Sequence, residues 1–270
     1  MPELPEVETT RRGIEPWLLN ASITSVTVRQ RQLRWPIPQN LKKIINQPVT
    51  SVGRRGKYLL IDTGNLVTLI HLGMSGSLRL CQPELPLKKH DHVILGLSNR
   101  YELRYHDPRR FGCVLTTNEP VNQHPLLASL GPEPLEGQFD GALLHRLSRK
   151  RKQAVKNFIM DSKIVVGVGN IYASESLFAA GIRPGVAAGS ISRARYDQLA
   201  EEIKRILQRS IEMGGTTLRD FVNTEGEPGY FAQSLSVYGR AKEPCPTCST
   251  PIKSVVLGQR SSFYCPGCQR

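Results

Sequence analysis

The sequence predicts an α+β protein: an N-terminal helix and a β-sandwich, then a helical region, then a small metal-bound hairpin. Three observations predict it. Short β-rich runs fill the first part of the chain, helical patterns take over beyond about residue 130, and four cysteines crowd into the last 26 residues. Taken in order, Val7, Ile14 and Leu18 fall at helical spacing, so Leu4 to Leu18 reads as an N-terminal helix with Arg11 and Arg12 on its wetter side. From about Ile23 to Leu115 the pattern changes to short runs, among them Tyr58 to Asp62, Leu66 to Leu72, His92 to Leu97 and Tyr101 to Tyr105. Gly, Pro and Asn turns separate them, and strands at such spacing suggest a sandwich.

Pro120, Pro125, Gly131, Pro132, Pro134 and Gly137 then crowd a stretch without periodicity, which places a boundary near residue 130. The expected domains are 1–130, 131–235 and 236–270. Ser192 to Met213 carries Leu199, Ile203, Ile206, Leu207 and Ile211 on one helical face, with Ser192 as N-cap and Gly214 and Gly215 as a stop.

The balance of 36 Lys and Arg against 23 Asp and Glu gives a net charge of +13, which favours a polyanionic partner such as nucleic acid. No run of about 18 apolar residues is present to span a bilayer. Glu3, Glu6 and Glu8 stand where a signal peptide would be basic and then apolar. The expectation is a soluble, cytoplasmic monomer. Six cysteines are too few for a disulfide scaffold in 270 residues.

Cys245 and Cys248 are two residues apart, as are Cys265 and Cys268, and sixteen residues lie between the pairs. That spacing fits a tetrahedral four-thiolate zinc site with no open position, hence a structural ion. The segment between can form a hairpin through Ile252 to Leu257 and Ser262 to Tyr264, too small to fold without metal. Arg260 lies in it, either reaching a phosphate or simply solvated. Upstream, seven Lys or Arg and the single acidic Asp161 occupy Arg146 to Lys163, which leads into Val165-Val166-Gly167-Val168-Gly169-Asn170-Ile171-Tyr172. This reads as helix, glycine turn, helix; the turn would present N–H groups, and Asn170 its amide, to a phosphate.

Pro2 would be the chain terminus once Met1 is removed. An α-amine with a pKa near 8 is roughly 10% unprotonated at pH 7, whereas a lysine is almost wholly charged, so a terminal proline is a ready nucleophile. Glu3 and Glu6 lie beside it, able to move protons.

Pro2-Glu3-Leu4-Pro5-Glu6-Val7-Glu8-Thr9, the Val166 to Glu175 motif and the zinc pattern ending Arg260-Ser261-Ser262-Phe263-Tyr264-Cys265 together resemble formamidopyrimidine-DNA glycosylase, in the family's order, from residue 2 to residue 268. The resemblance implies a helix-capped β-sandwich, then a helix-two-turn-helix second domain with a zinc finger, double-stranded DNA lying in a cleft between the domains, and excision of oxidised purines followed by strand cleavage. It also implies roles: Pro2 as Schiff-base nucleophile, Glu3 as proton donor for base removal, Lys57 as donor in β-elimination and Arg260 in δ-elimination. His71, Met74, His90, Arg109, Phe111, Arg151, Lys156 and Asn170 would contact DNA. Met74 and Phe111 would be wedges filling the hole left by an extruded base while Arg109 meets the orphaned partner; without the resemblance both would read as core. Gly214 to Phe231 would form a loop over the damaged base, and the cell compartment would be the bacterial nucleoid. Two rivals remain: the related endonuclease VIII family, which prefers oxidised pyrimidines, and a zinc-finger protein that binds DNA without catalysis.

Overall fold

A computed structural model describes residues 2–216 and 234–270; most of the Gly214 to Phe231 stretch therefore lies outside the described residues. The chain divides into two compact units. One takes the chain up to Ala128 and gains the return from Met213; the other begins at Ser129, runs to Glu212 and includes the C-terminal residues to Arg270.

The first unit opens with α1, Leu4–Leu18. Glu3 precedes it in extended conformation, and the Glu6 carboxylate reaches back to accept the Glu3 N–H at 2.8 Å, which gives a helix end one of its missing partners. Val7, Ile14 and Leu18 are buried as their spacing requires, and α1 packs on three strands of the unit, β2 (Ser51–Arg55), β3 (Tyr58–Asp62) and β5 (Ser77–Cys81).

The other strands are β1 (Ile23–Val28), β4 (Val67–His71), β6 (Asp91–Leu97), β7 (Glu102–His106) and β8 (Cys113–Thr117). They form two four-stranded antiparallel sheets, ordered β1-β6-β7-β5 and β2-β3-β4-β8. Every residue of β6 is buried, which is why this strand reads as a continuous apolar run from Val93 to Leu97 rather than an alternation. Ile14, Leu18, Ile23, Leu59, Ile61, Leu95 and Leu103 share one core with both sheets.

The second unit holds α2 (Gly141–Ser148), α3 (Val155–Ile159), α4 (Asn170–Ala179) and α5 (Arg193–Glu212). Leu199, Ile203, Ile206, Leu207 and Ile211 form the buried face of α5, which packs on α2 and α4. Each such side chain withdrawn from water contributes about 1.5–3 kcal/mol. Ser192 Oγ accepts the Arg195 N–H at 3.4 Å, and Gly214 and Gly215 take positive φ at the other end. The anticipated helix, glycine turn, helix is α3, a turn with Gly167 at φ 80°, then α4.

The C-terminal hairpin pairs β9 (Lys253–Leu257) with β10 (Arg260–Tyr264). Its two turn residues, Gly258 and Gln259, both have positive φ, the geometry that matches strand twist. β10 begins two residues before the anticipated start, so Arg260 opens the strand. The hairpin belongs to the second unit: Val237, Cys245, Ile252 and Cys265 form a small core that Phe178 of α4 joins. Among the described residues no helix is long and apolar enough to cross a membrane.

Candidate active site and zinc centre

At the start of α1, Pro2 is buried and Glu3 is only 2% exposed. Glu6, also 2% exposed, accepts the Glu3 N–H with one oxygen and the Thr216 N–H with the other at 2.7 Å. Both oxygens of Glu6, anticipated beside Pro2 as able to move protons, accept main-chain N–H groups. The Glu-x-x-Glu spacing before an apolar run was the available signal for the helix end; nothing in the sequence pointed to Thr216.

Lys57 sits at the tip of a two-residue hairpin. Arg55 pairs with Tyr58, and Gly56 supplies the positive φ of 56° that such a turn demands at its first position. Glu8 ties this hairpin to α1, taking Arg11 and Arg12 from its own helix and Arg54 Nε from β2 at 3.1 Å. Arg54 Nη1 donates onward to the Gly56 carbonyl at 2.9 Å. Burial alone would raise the Glu8 carboxyl, but the three guanidinium groups hold it below its ordinary value. Lys57 is thus carried on a strand pair fixed to the helix that begins at Glu3.

The His71 to Gly76 and Asp107 to Gly112 loops interlock. Gly73 and Gly112 approach so closely that a Cβ on either would run into the other loop's backbone. Asp107, fully buried, fixes the crossing by accepting Tyr105 OH at 3.1 Å, Gly112 N–H at 2.9 Å and Ser75 Oγ at 3.3 Å. The outcome is exposure of the tips. Met74 is 37% and Phe111 48% exposed, which overturns their reading as core residues; with Arg34, His71 and Gly73 they line a groove of about 250 Å³. Arg109 stacks its guanidinium 5.1 Å from the Phe111 ring centre. His71 is neutral: burial, with the Lys57 and Arg34 charges, brings it down to about 4, and its Nδ1 accepts the Gly73 N–H at 2.9 Å.

In the second unit two side chains converge on one carbonyl. Lys156 Nζ donates to Ser261 O at 3.1 Å and Ser262 Oγ at 2.7 Å, and Asn170 Nδ2 donates to Ser261 O at 3.1 Å. Lys156, anticipated as a DNA contact, is fully buried and its ammonium faces the hairpin. Ser261 follows the exposed Arg260. Arg151 is exposed on the segment between α2 and α3. One clamp left no trace in the sequence reading: Glu175 accepts N–H groups from Ser236, Val237 and Tyr238 at 2.8–2.9 Å, binding α4 to the approach of the cysteine module.

Cys245, Cys248, Cys265 and Cys268 bring their sulfurs within 4.8 Å of one another. The separations of 3.8 Å for Cys245 to Cys268 and 3.4 Å for Cys248 to both Cys265 and Cys268 sit close to the roughly 3.8 Å edge of a tetrahedron with about 2.3 Å zinc–sulfur bonds. The donor set fits one structural zinc. Around it, Cys265 N–H donates to Gln269 Oε1 at 2.8 Å, and Gln269 Nε2 donates to Ile182 O at 2.7 Å, fastening the module to the segment after α4.

Comparison with known proteins covers the whole chain. Residues 1–114 match the formamidopyrimidine-DNA glycosylase N-terminal domain, 130–222 the formamidopyrimidine-DNA glycosylase H2TH domain, and 242–270 the zinc finger found in FPG and IleRS. The formamidopyrimidine-DNA glycosylase of Methylococcus capsulatus is 60% identical over 271 residues, with all of both chains covered. The MutM (Fpg) protein of Thermus thermophilus is similar in structure at TM-score 0.89 and 36% identity, with 99% of this chain and 98% of that one covered. A Lactococcus lactis FPG mutant in complex with Fapy-dG-containing DNA is similar at TM-score 0.93 and 32% identity, with both chains covered in full.

Proposed function

The chain belongs to the formamidopyrimidine-DNA glycosylase family, base excision repair glycosylases of oxidised purines with an accompanying abasic-site lyase activity, and from that premise we propose how its residues divide the work. The Pro2 nitrogen, as a terminal secondary amine, attacks the sugar carbon that bears the damaged base. The glycosidic bond breaks, the base leaves with the bonding pair and takes a proton from Glu3, and the sugar ring then opens as the nitrogen lone pair forms the iminium and the ring oxygen takes up the amine's proton. The resulting iminium acidifies the adjacent C–H, and its loss expels the 3′ phosphate; a second elimination expels the 5′ phosphate. Lys57 and Arg260 donate protons in those two steps, respectively. A covalent iminium is what distinguishes this route from simple hydrolysis.

The observation that carries the reading is the buried start of α1, where Pro2 and Glu3 sit on a helix end that Glu6 holds by its main chain. Supporting it, Met74 and Phe111 stand exposed on interlocked loops, an arrangement suited to filling an emptied base position. Asn170, Arg260, Lys57, His71, His90, Arg109 and Arg151 are assigned to the DNA backbone or the helix interior. Lys156 supports Arg260 through the Ser261 carbonyl instead of meeting phosphate itself. The protein acts as a monomer on duplex DNA at the nucleoid of the cytoplasm.

Duplexes carrying a single 8-oxoguanine or a single oxidised pyrimidine test the substrate. The expected outcome is release of the purine at least tenfold faster; faster release of the pyrimidine would transfer the chain's specificity to the endonuclease VIII class.

A further inference from the structure

The first unit carries a second pocket, of about 290 Å³, to which the chemistry above gives no task. Val26 and Val28 of β1, Ile37, Leu41 and the cations Arg31 and Lys42 line it. We propose that it docks a partner protein through an extended acidic peptide, which adds a strand to the open edge of β1 and seats one apolar side chain in the pocket.

β1 is the outer strand of its sheet, with β6 on one side only. The Arg29 N–H donates to the His92 carbonyl at 2.8 Å, and Thr27 and Val28 stand opposite Ile94 and Val93. The alternation of an antiparallel pair then turns the main chain of Val26 and Val28 away from β6. Nearer its start the edge is covered by the chain itself, since Ile23 donates to the Gln47 carbonyl at 3.0 Å and accepts the Asn46 N–H at 2.7 Å. That cover stops short of the pocket. Among the described residues no group takes the outward N–H and C=O of Val26 or Val28, and a row of such groups is a template for another strand.

The facing wall is already in place. The Ile37 N–H donates to the Arg31 carbonyl at 2.9 Å and the Leu41 N–H to the Pro38 carbonyl at 3.2 Å, while Arg34 N–H ties the segment to Gly112 O at 3.1 Å. Ile37 and Leu41 are buried, and Val26 and Val28 half-buried, so the floor is apolar. The mouth is cationic: Arg31 and Lys42 are exposed, and among the described residues neither side chain has an ion pair or hydrogen bond. Arg29, Arg54, Arg79 and Arg104 differ in being tied to carbonyls or carboxylates. No carboxylate is among the described residues that line the pocket.

These features select the occupant. Nucleic acid offers phosphates to the two cations but no row of N–H and C=O groups to a strand edge, and a second copy of this chain brings a net charge of +13 against them. A peptide that alternates acidic and apolar residues supplies all three complements: main chain for Val26 and Val28, an apolar side chain for the floor, carboxylates for Arg31 and Lys42.

Fluorescence anisotropy of the full-length protein with a labelled short peptide alternating Asp with Leu or Phe tests this, with a peptide carrying Lys for Asp as control. The expected outcome is micromolar binding of the Asp peptide, about tenfold or more weaker for the Lys peptide and for R31Q/K42Q. In wild type, the Asp peptide should slow amide exchange at Val26 and Val28 by about tenfold or more, a readout that needs no variant. Equal affinity for the two peptides overturns the proposal, as does unchanged exchange at Val26 and Val28. Displacement of the peptide by an abasic duplex, with R31Q/K42Q weakening the duplex in proportion, also overturns it and makes the pocket a DNA contact.

Discussion

Lys156 illustrates how a single buried charge can act at a distance from chemistry. Its ammonium donates to Ser261 O and Ser262 Oγ, and replacing it with Met leaves the buried Ser262 Oγ without that donor, at a cost of about 1–3 kcal/mol. If its task is to seat Arg260, K156M should lower the share of δ-elimination product relative to β-elimination product on a pre-formed abasic duplex, with Zn content unchanged. An unaltered product ratio would remove the link to Arg260. His71 gives a second test at this scale. Its proton affinity is depressed to about 4 in the fold against an ordinary value near 6.5, so the stability tied to its neutral form is present above pH 6.5 and is lost as pH falls toward 4. The loss should be on the order of 1–3 kcal/mol, and urea unfolding of H71Q across that window should show a shallower acid slope than wild type.

Elements whose cause is local were readable in the sequence, and elements whose cause is remote were not. α1 runs from Leu4 to Leu18 as its apolar spacing requires, and α5 buries the face read from Leu199 to Ile211. The cysteine pairs announce their metal because ligand spacing is short-range. By contrast, the Gly73 and Gly112 crossing, the Glu175 clamp and the burial of Lys156 depend on partners tens of residues away and leave no period in the chain. Met74 and Phe111 look like core residues in composition alone; only the back-to-back loops turn them outward. The hairpin sharpens the zinc prediction. Outside the cysteines it is held by Gln269, by Phe178 and by the Lys156 and Asn170 bonds. Chelation should therefore abolish DNA binding and expose the hairpin to protease while α5 keeps most of its amide-exchange protection. A zinc-free protein that bound duplex with unchanged affinity would show that the hairpin needs no metal to hold Arg260.

At the scale of the whole molecule, a surplus of +13 charges gathers a polyanion, and the covalent chemistry is assigned to one end of one helix. The two parts of that account separate under mutation. E3Q should slow base removal by at least a hundredfold while sparing cleavage of a pre-formed abasic site, because an abasic sugar already offers an aldehyde and the proton donor is needed only while the glycosidic bond breaks. The most direct measurement is borohydride trapping on an 8-oxoguanine duplex, followed by mass mapping of the linked peptide. The account predicts that the label lies on Pro2, and that any residue retained before Pro2 abolishes the adduct while leaving lesion binding largely intact, since an amide nitrogen cannot attack. An extended protein that still formed the adduct, with the label mapped to Lys57, would contradict it.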